Sequence, residues 1–143
     1  HTVPVGGVFG CNGIDLCGAV EGNLLARGAV LSGMAEAVEH GGGIPCSQRL
    51  ISTLRAGESA GGDRRGKQSA SLLVHDGEEY SLYDLRVDDH PDPLKELARL
   101  EAVARERWVH VRRVLPGRDQ PHGITNPAEI DDAIANSIKS GFE

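Results

Sequence analysis

The sequence predicts a mixed α/β domain in which antiparallel strand pairs are layered against helices. Three observations carry that expectation. Short apolar, β-branched or alternating runs come in two pairs, at residues 3–9 with 17–25 and at 68–75 with 80–87. Between and after these pairs, apolar residues recur at three-to-four spacing, the period of an amphipathic helix. Gly and Pro steps mark each change of period. The resulting order is β-β-α-α-β-β-α with a C-terminal helical extension. It suits antiparallel pairing, because a doubly wound parallel sheet would alternate strand and helix one by one.

The first run, VPVGGVF at 3–9, carries a Gly pair that suggests a bulge or close approach. The second, CGAVEGNLL at 17–25, ends in a polar Gly-Asn step. From Arg27 to His40 the residues Val30, Leu31, Met34, Ala37 and Val38 line one helical face, and the glycines at 41–43 stop it. Residues 44–60 form a second helix with Leu50, Ile51 and Leu54 inward, closed by Gly61 and Gly62. After the strand at 68–75, the Asp76-Gly77 step signals a hairpin, with 80–87 returning. Asp92 followed by Pro93 is an N-cap with Pro in the first helical position, opening a helix to about Arg107 with Leu94, Leu97, Leu100, Ala104 and Trp108 on one side. A last helix starts at Asn126, Pro127 and Glu129, a capping-box arrangement, and carries Ile130, Ile134 and Ile138 as a narrow stripe. One helical layer would cover one face of four strands and leave an apolar sheet surface for something else to cover.

At 143 residues the chain suits one domain, and its core must come from aliphatic side chains, since there are only one Trp, two Tyr and two Phe. The formal net charge of −6 gives no general attraction for nucleic acid. The local basic clusters, at Arg64, Arg65 and Lys67 and again from Arg105 to Arg113, are expected to be solvated faces. Cys11, Cys17 and Cys46 have no metal-ligand spacing and are expected to be buried or half-buried free thiols in a reducing compartment. No apolar run approaches membrane-spanning length, so a cytoplasmic location is expected, with no membrane partner.

Three clusters carry chemistry. Asn23, after a Gly at a strand end, could present its amide to an oxyanion or could simply close the turn. The stretch from Gly61 to Ser69 (GGDRRGKQS) crowds charge and hydrogen-bonding capacity at the entrance of a strand. Within it Asp63 could orient or neutralise a cation, Arg65 could bind a carboxylate bidentately, and Gln68 and Ser69 could supply neutral donors. A solvated turn would explain the same residues. Arg86, Asp88, Asp89 and His90 invite a metal reading, but adjacent acids on a strand point to opposite sides, so a charged strand end feeding a capped helix is expected and no metal. The isolated His40, His75, His110 and His122 are expected at the surface.

The motifs EGNLLARGAVLSGMAEAVE, AGESAGGDRRGKQSASLLV and YDLRVDDHPDPLKELARL, in this order and spacing, resemble a bacterial and archaeal domain-of-unknown-function family, number 1028, grouped with the Ntn hydrolases. The resemblance covers residues 1 to about 100 and implies half of a four-layered αββα Ntn-hydrolase-like sandwich, its C-terminal half. Residues 101–143 would be a helical extension docking on the core or on a partner chain. It further implies hydrolysis of a non-peptide C–N bond in a small metabolite, without a cofactor. Asn23, Asp63 and Ser69 would then act on the catalytic side, and Glu21, Arg65 and Gln68 would bind substrate. Glu21 departs from the Gln common in the family. A companion chain or a missing N-terminal half would complete the sandwich in an oligomer and bring the nucleophile, a Thr, Ser or Cys whose own α-amine is the base. Thr2 stands behind His1 and is expected to be a strand-end threonine. A non-catalytic structural or binding subunit with the same fold is the alternative.

Overall fold

The structure, a computed structural model, describes residues 5–9 and 18–141. It contains β1 (Val5–Phe9), β2 (Gly18–Gly22), α1 (Ala29–His40), α2 (Cys46–Ser59), β3 (Ala70–Val74), β4 (Tyr83–Val87), α3 (Pro93–Val111), a short 3-10 turn (Arg112–Val114) and α4 (Pro127–Ser140). The order matches the periodicity of the sequence. The strands form two separate antiparallel pairs, β1 with β2 and β3 with β4, rather than one four-stranded sheet.

Helices α1, α2 and α3 pack in succession, with β1–β2 against α1 and β3–β4 against α2 and α3. Val20, Leu31 and Val38 form one apolar cluster, joined by Leu25 and Met34. Ile51, Leu72, Val87 and Leu97 form a second, and Leu82, Tyr83 and Val109 a third. The period-two pattern puts Leu72 and Val87 inward. The opposite face of β3–β4 carries Ser71 across from Arg86 and Leu73 across from Asp84. Leu73 is the one large apolar group there, so the open apolar sheet surface expected from the sequence is absent from this pair.

A buried polar link ties α2 to α3. Ser47 donates its hydroxyl to Oε1 of Glu101 at 2.7 Å, and both residues are buried. Arg105 Nη1 stands 3.8 Å from the same oxygen. Burial pushes the Tyr83 phenol up, the Glu101 carboxylate beside it adds to that, and Arg105 and a hydrogen bond with Ser47 offset part of it.

Four local expectations are corrected. The hairpin signalled by Asp76-Gly77 forms, β3 pairing antiparallel with β4, but through a wider connection than expected: β3 ends at Val74 and β4 starts only at Tyr83. The Asp76 carboxylate is taken by the Arg112 guanidinium, whose carbon lies 5.2 Å from the centroid of the Tyr80 ring, so the loop is pinned to the end of α3. Arg112 is thus not part of a solvated basic face. His110 is buried, and its Nδ1 shares a 2.8 Å hydrogen bond with the hydroxyl of Ser137 on α4. Cys46 is free but exposed, while Cys11 and Cys17 lie outside the described residues. Among the described residues no helix is long and apolar enough to cross a membrane.

Both predicted Pro-capped helices form. Asp92 accepts from the Lys95 N–H at 3.2 Å, and Asn126 accepts from the Ala128 N–H at 3.0 Å. Helix α3 runs four residues past the expected Arg107 because Val109 is fully buried and the indole N–H of Trp108 donates to the Leu82 carbonyl at 2.7 Å. Helix α4 docks on α3 and on the 3-10 turn, with Ile130 and Ile134 half-buried and Ile138 exposed.

Candidate functional site

Gly61 and Gly62 end α2. Their N–H groups donate to the carbonyls of Glu58 and Gly57 at 2.9 and 3.0 Å, and both glycines hold positive φ (+125° and +60°). These amides are spent on the helix end and are not open to a ligand. The chain then reverses over Asp63-Arg64-Arg65-Gly66. The Gly66 N–H donates to the Asp63 carbonyl at 3.1 Å, and the Arg65 N–H donates to Oδ1 of Asp63 at 2.8 Å. Asp first and Gly fourth are the residues this turn favours, with the Asp side chain imitating one more turn of backbone.

The neighbouring segment at 24–26 holds this turn from the other side. Leu25 bridges Asp63, the Arg64 N–H donates to the Leu24 carbonyl at 2.9 Å, and the Ala26 N–H donates to the Gly62 carbonyl at 2.9 Å. Arg64 Nε adds a bond to the Leu25 carbonyl at 2.9 Å. Leu24 sits at φ 52°, the one non-glycine in the left-handed region among the described residues. That conformation costs about 1–2 kcal/mol and persists because the pairing on either side dictates it.

Beneath the turn lies a solvent-open cleft of about 1030 Å³. Its apolar wall comes from Leu25, Val30, Met34, Leu54, Pro93 and Leu94, and its polar side from Glu58, Asp63, Arg65, Lys67, Gln68 and Ser69. At the mouth Arg65 donates through Nε to Oδ1 of Asp63 at 2.9 Å and through Nη2 to Oδ2 at 2.6 Å. The side-chain hydrogen bonds from Arg65, and then its backbone bond, hold the Asp63 carboxyl down at about 2, while Asp63 raises the guanidinium. A carboxylate so strongly favoured in its charged form is a poor proton acceptor at neutral pH. The chemistry available to Asp63 here is positioning Arg65.

Lys67 is likewise engaged, by the Glu58 carboxylate and by Oδ1 of Asp92 at 3.3 Å, and chiefly the Glu58 bond raises it. Gln68 Nε2 donates to Oδ1 of Asp89 at 3.2 Å. The Ser69 hydroxyl makes no hydrogen bond within the described residues. The strand-end cluster behaves as a charged end feeding a capped helix: Arg86 pairs with Asp88 at 3.0 Å, and His90 Nδ1 accepts from the Asp92 N–H at 2.9 Å. Among the described residues there is no group of three or more acids, histidines or cysteines that could hold a metal ion.

Four of the six site residues read from the sequence therefore meet at one cleft: Asp63, Arg65, Gln68 and Ser69. Glu21, exposed on β2, and Asn23, exposed in the bend after it, do not line it. Sequence reasoning missed Glu58 and Lys67, which face each other across the turn, and the wall of Leu25, Met34, Leu54 and Leu94. Apolar spacing flagged Met34, Leu54 and Leu94 as helix faces, but spacing alone does not separate a cleft wall from a core.

Residues 12–97 match the model of a family described as one of unknown function, DUF1028. The chain belongs to that family. All four cleft residues, together with α1, α2 and both strands of the second pair, fall inside the matched region. Among solved structures the chain is similar to the DUF1028 protein SPO2555 from Silicibacter pomeroyi, with 28% identity and a TM-score of 0.64 over 77% of this chain. The chain spans 48% of the length of that protein. No curated protein matches it at a significant level.

Proposed function

We propose that this DUF1028 chain is one part of an Ntn-type hydrolase acting on a C–N bond of a small, amide-like metabolite. In this reading it supplies the substrate-binding and oxyanion side of a four-layered αββα sandwich. A companion chain or further segment supplies the remaining layers and a nucleophilic Ser, Thr or Cys at its own N-terminus. The observation that carries the reading is the cleft, in which an apolar wall faces Arg65, Gln68 and the uncommitted hydroxyl of Ser69. Asp63 is held as an anion by Arg65 and so is a poor base, and Glu58 is engaged in an ion pair with Lys67. A reaction here then needs its base from elsewhere, as an N-terminal nucleophile with its own α-amine provides.

The same pairing supports the alternative, a binding subunit without catalysis. One assay separates the two. The complete protein is offered a panel of small non-peptide amides, with and without replacement of the first Ser, Thr or Cys of the companion segment by Ala. Amide hydrolysis that falls by about a thousand-fold or more on replacement is the expected result. Binding without turnover in either form, or turnover indifferent to the replacement, overturns the hydrolase.

A further inference from the structure

The cleft is not neutral in what it offers a ligand. Two acids and two cations line it, Glu58 and Asp63 with Arg65 and Lys67. The acids are already supplied with donors: Asp63 accepts the Arg65 backbone N–H and two guanidinium N–H groups, and Glu58 accepts from Lys67. An ammonium entering the cleft would find both oxygens of Asp63 engaged and only Oε2 of Glu58 open, on a carboxylate already paired with Lys67. The guanidinium of Arg65 is in a different position. Asp63 engages one edge, Nε and Nη2, which leaves Nη1 and the outward N–H of Nη2 as a second fork. A planar guanidinium can hold one carboxylate on each edge, and Asp63, fixed by its turn, keeps the remaining edge in one orientation. The Arg65 side chain is 68% exposed against 28% for Asp63, so the unused edge is the accessible one.

We propose that this cleft binds a monocarboxylate with a compact apolar body, the carboxylate held end-on by the Nη1/Nη2 edge of Arg65 and the body against Leu25, Met34, Leu54 and Leu94. The proposal rests on reading the cleft as a small-molecule site, and it narrows the amide substrates to those bearing a carboxylate. Asp63 is the positioning residue of this subsite and Arg65 the group that touches the ligand. Lys67, tied to Glu58 and Asp92, sets the charge of the rim without contacting the ligand.

Three probes of equal chain length test it: sodium hexanoate, hexylammonium chloride and hexanol, each titrated into the intact protein and followed by the NMR signals of the Arg65 Nε–H and of the Leu25 and Met34 methyls. Hexanoate should shift all of these saturably and bind at least about tenfold tighter than the other two. Arg65→Lys, which keeps the charge and loses the fork, should weaken hexanoate about tenfold and leave hexanol unchanged. Arg86→Gln, removing a charge on the outer face of β3–β4, should leave hexanoate affinity as it was. Equal binding of hexanol and hexanoate, preferential binding of hexylammonium, shifts confined to residues outside the cleft, or no saturable shift overturns the carboxylate subsite. None of these readouts involves turnover, so the hydrolase stands or falls on its own assay.

Discussion

Asp63 and Glu101 are both carboxylates held by hydrogen bonds, and they serve opposite ends. The side chain of Glu101 is 4% exposed, receives the Ser47 hydroxyl and links two helices through the interior. Asp63 sits at the mouth of a cleft, and its partner Arg65 lies largely in water. Where water can replace a lost partner, an ion pair adds little to stability, with exposed pairs near 0–1 kcal/mol. Where water cannot reach, removing one donor leaves the full desolvation of the acceptor uncompensated. The difference teaches which polar group can be lent to a ligand. The fold depends on Ser47 and Glu101, whereas the exposed guanidinium of Arg65 can take a second partner on its unused edge without disturbing the interior.

The largest effect expected from this comparison is at the buried end. Ser47→Ala deletes the hydroxyl that donates to Glu101 and should lower unfolding free energy by about 1.5–3 kcal/mol, read by urea denaturation at neutral pH. A loss under about 0.5 kcal/mol would mean that Arg105 or water takes over the oxygen, and the contrast between the two carboxylates would collapse. The exposed end is sharpened by pH rather than by mutation. Arg65 lowers Asp63 from 3.8 to about 2 in the folded chain. The pair's contribution is therefore fully present above the unfolded value near 3.8 and is lost as pH falls through about 2. The Asp63 carboxyl carbon, followed by NMR in the folded protein, should titrate with a midpoint near 2; a midpoint at 3.8 would show that Arg65 does not hold it.

The element order was legible because each pair of strands and each helix keeps its own hydrophobic period over several residues. The cleft was partly legible, since the residues from Gly61 to Ser69 are contiguous and their concentration of charge and glycine needs no tertiary knowledge. What failed was long-range. Nothing local says that Asp76 will leave its turn to bind Arg112, thirty-six positions away. His110 was expected at the surface as an isolated histidine, and the fold buries it, with Ser137 of α4 on its Nδ1. Glu21 and Asn23 lie close in sequence to Leu25, which does reach the cleft, but the bend after β2 and the left-handed Leu24 turn the chain between them. The glycines at 61 and 62, read from the sequence as the stop of the second helix, do end it.

On the proposed reading the Asp63–Arg65 turn recognises a ligand and the fold can do without it, which the unfolding free energy of Arg65→Ala tests. The Asp63 turn keeps its backbone bonds in that variant, because the Arg65 N–H and the Gly66 N–H donate from the main chain. Stability within about 1 kcal/mol of the parent is the predicted result, as for the loss of an exposed ion pair. A loss of more than about 1.5 kcal/mol would place Arg65 in the scaffold beside Ser47 and Glu101 and contradict the account.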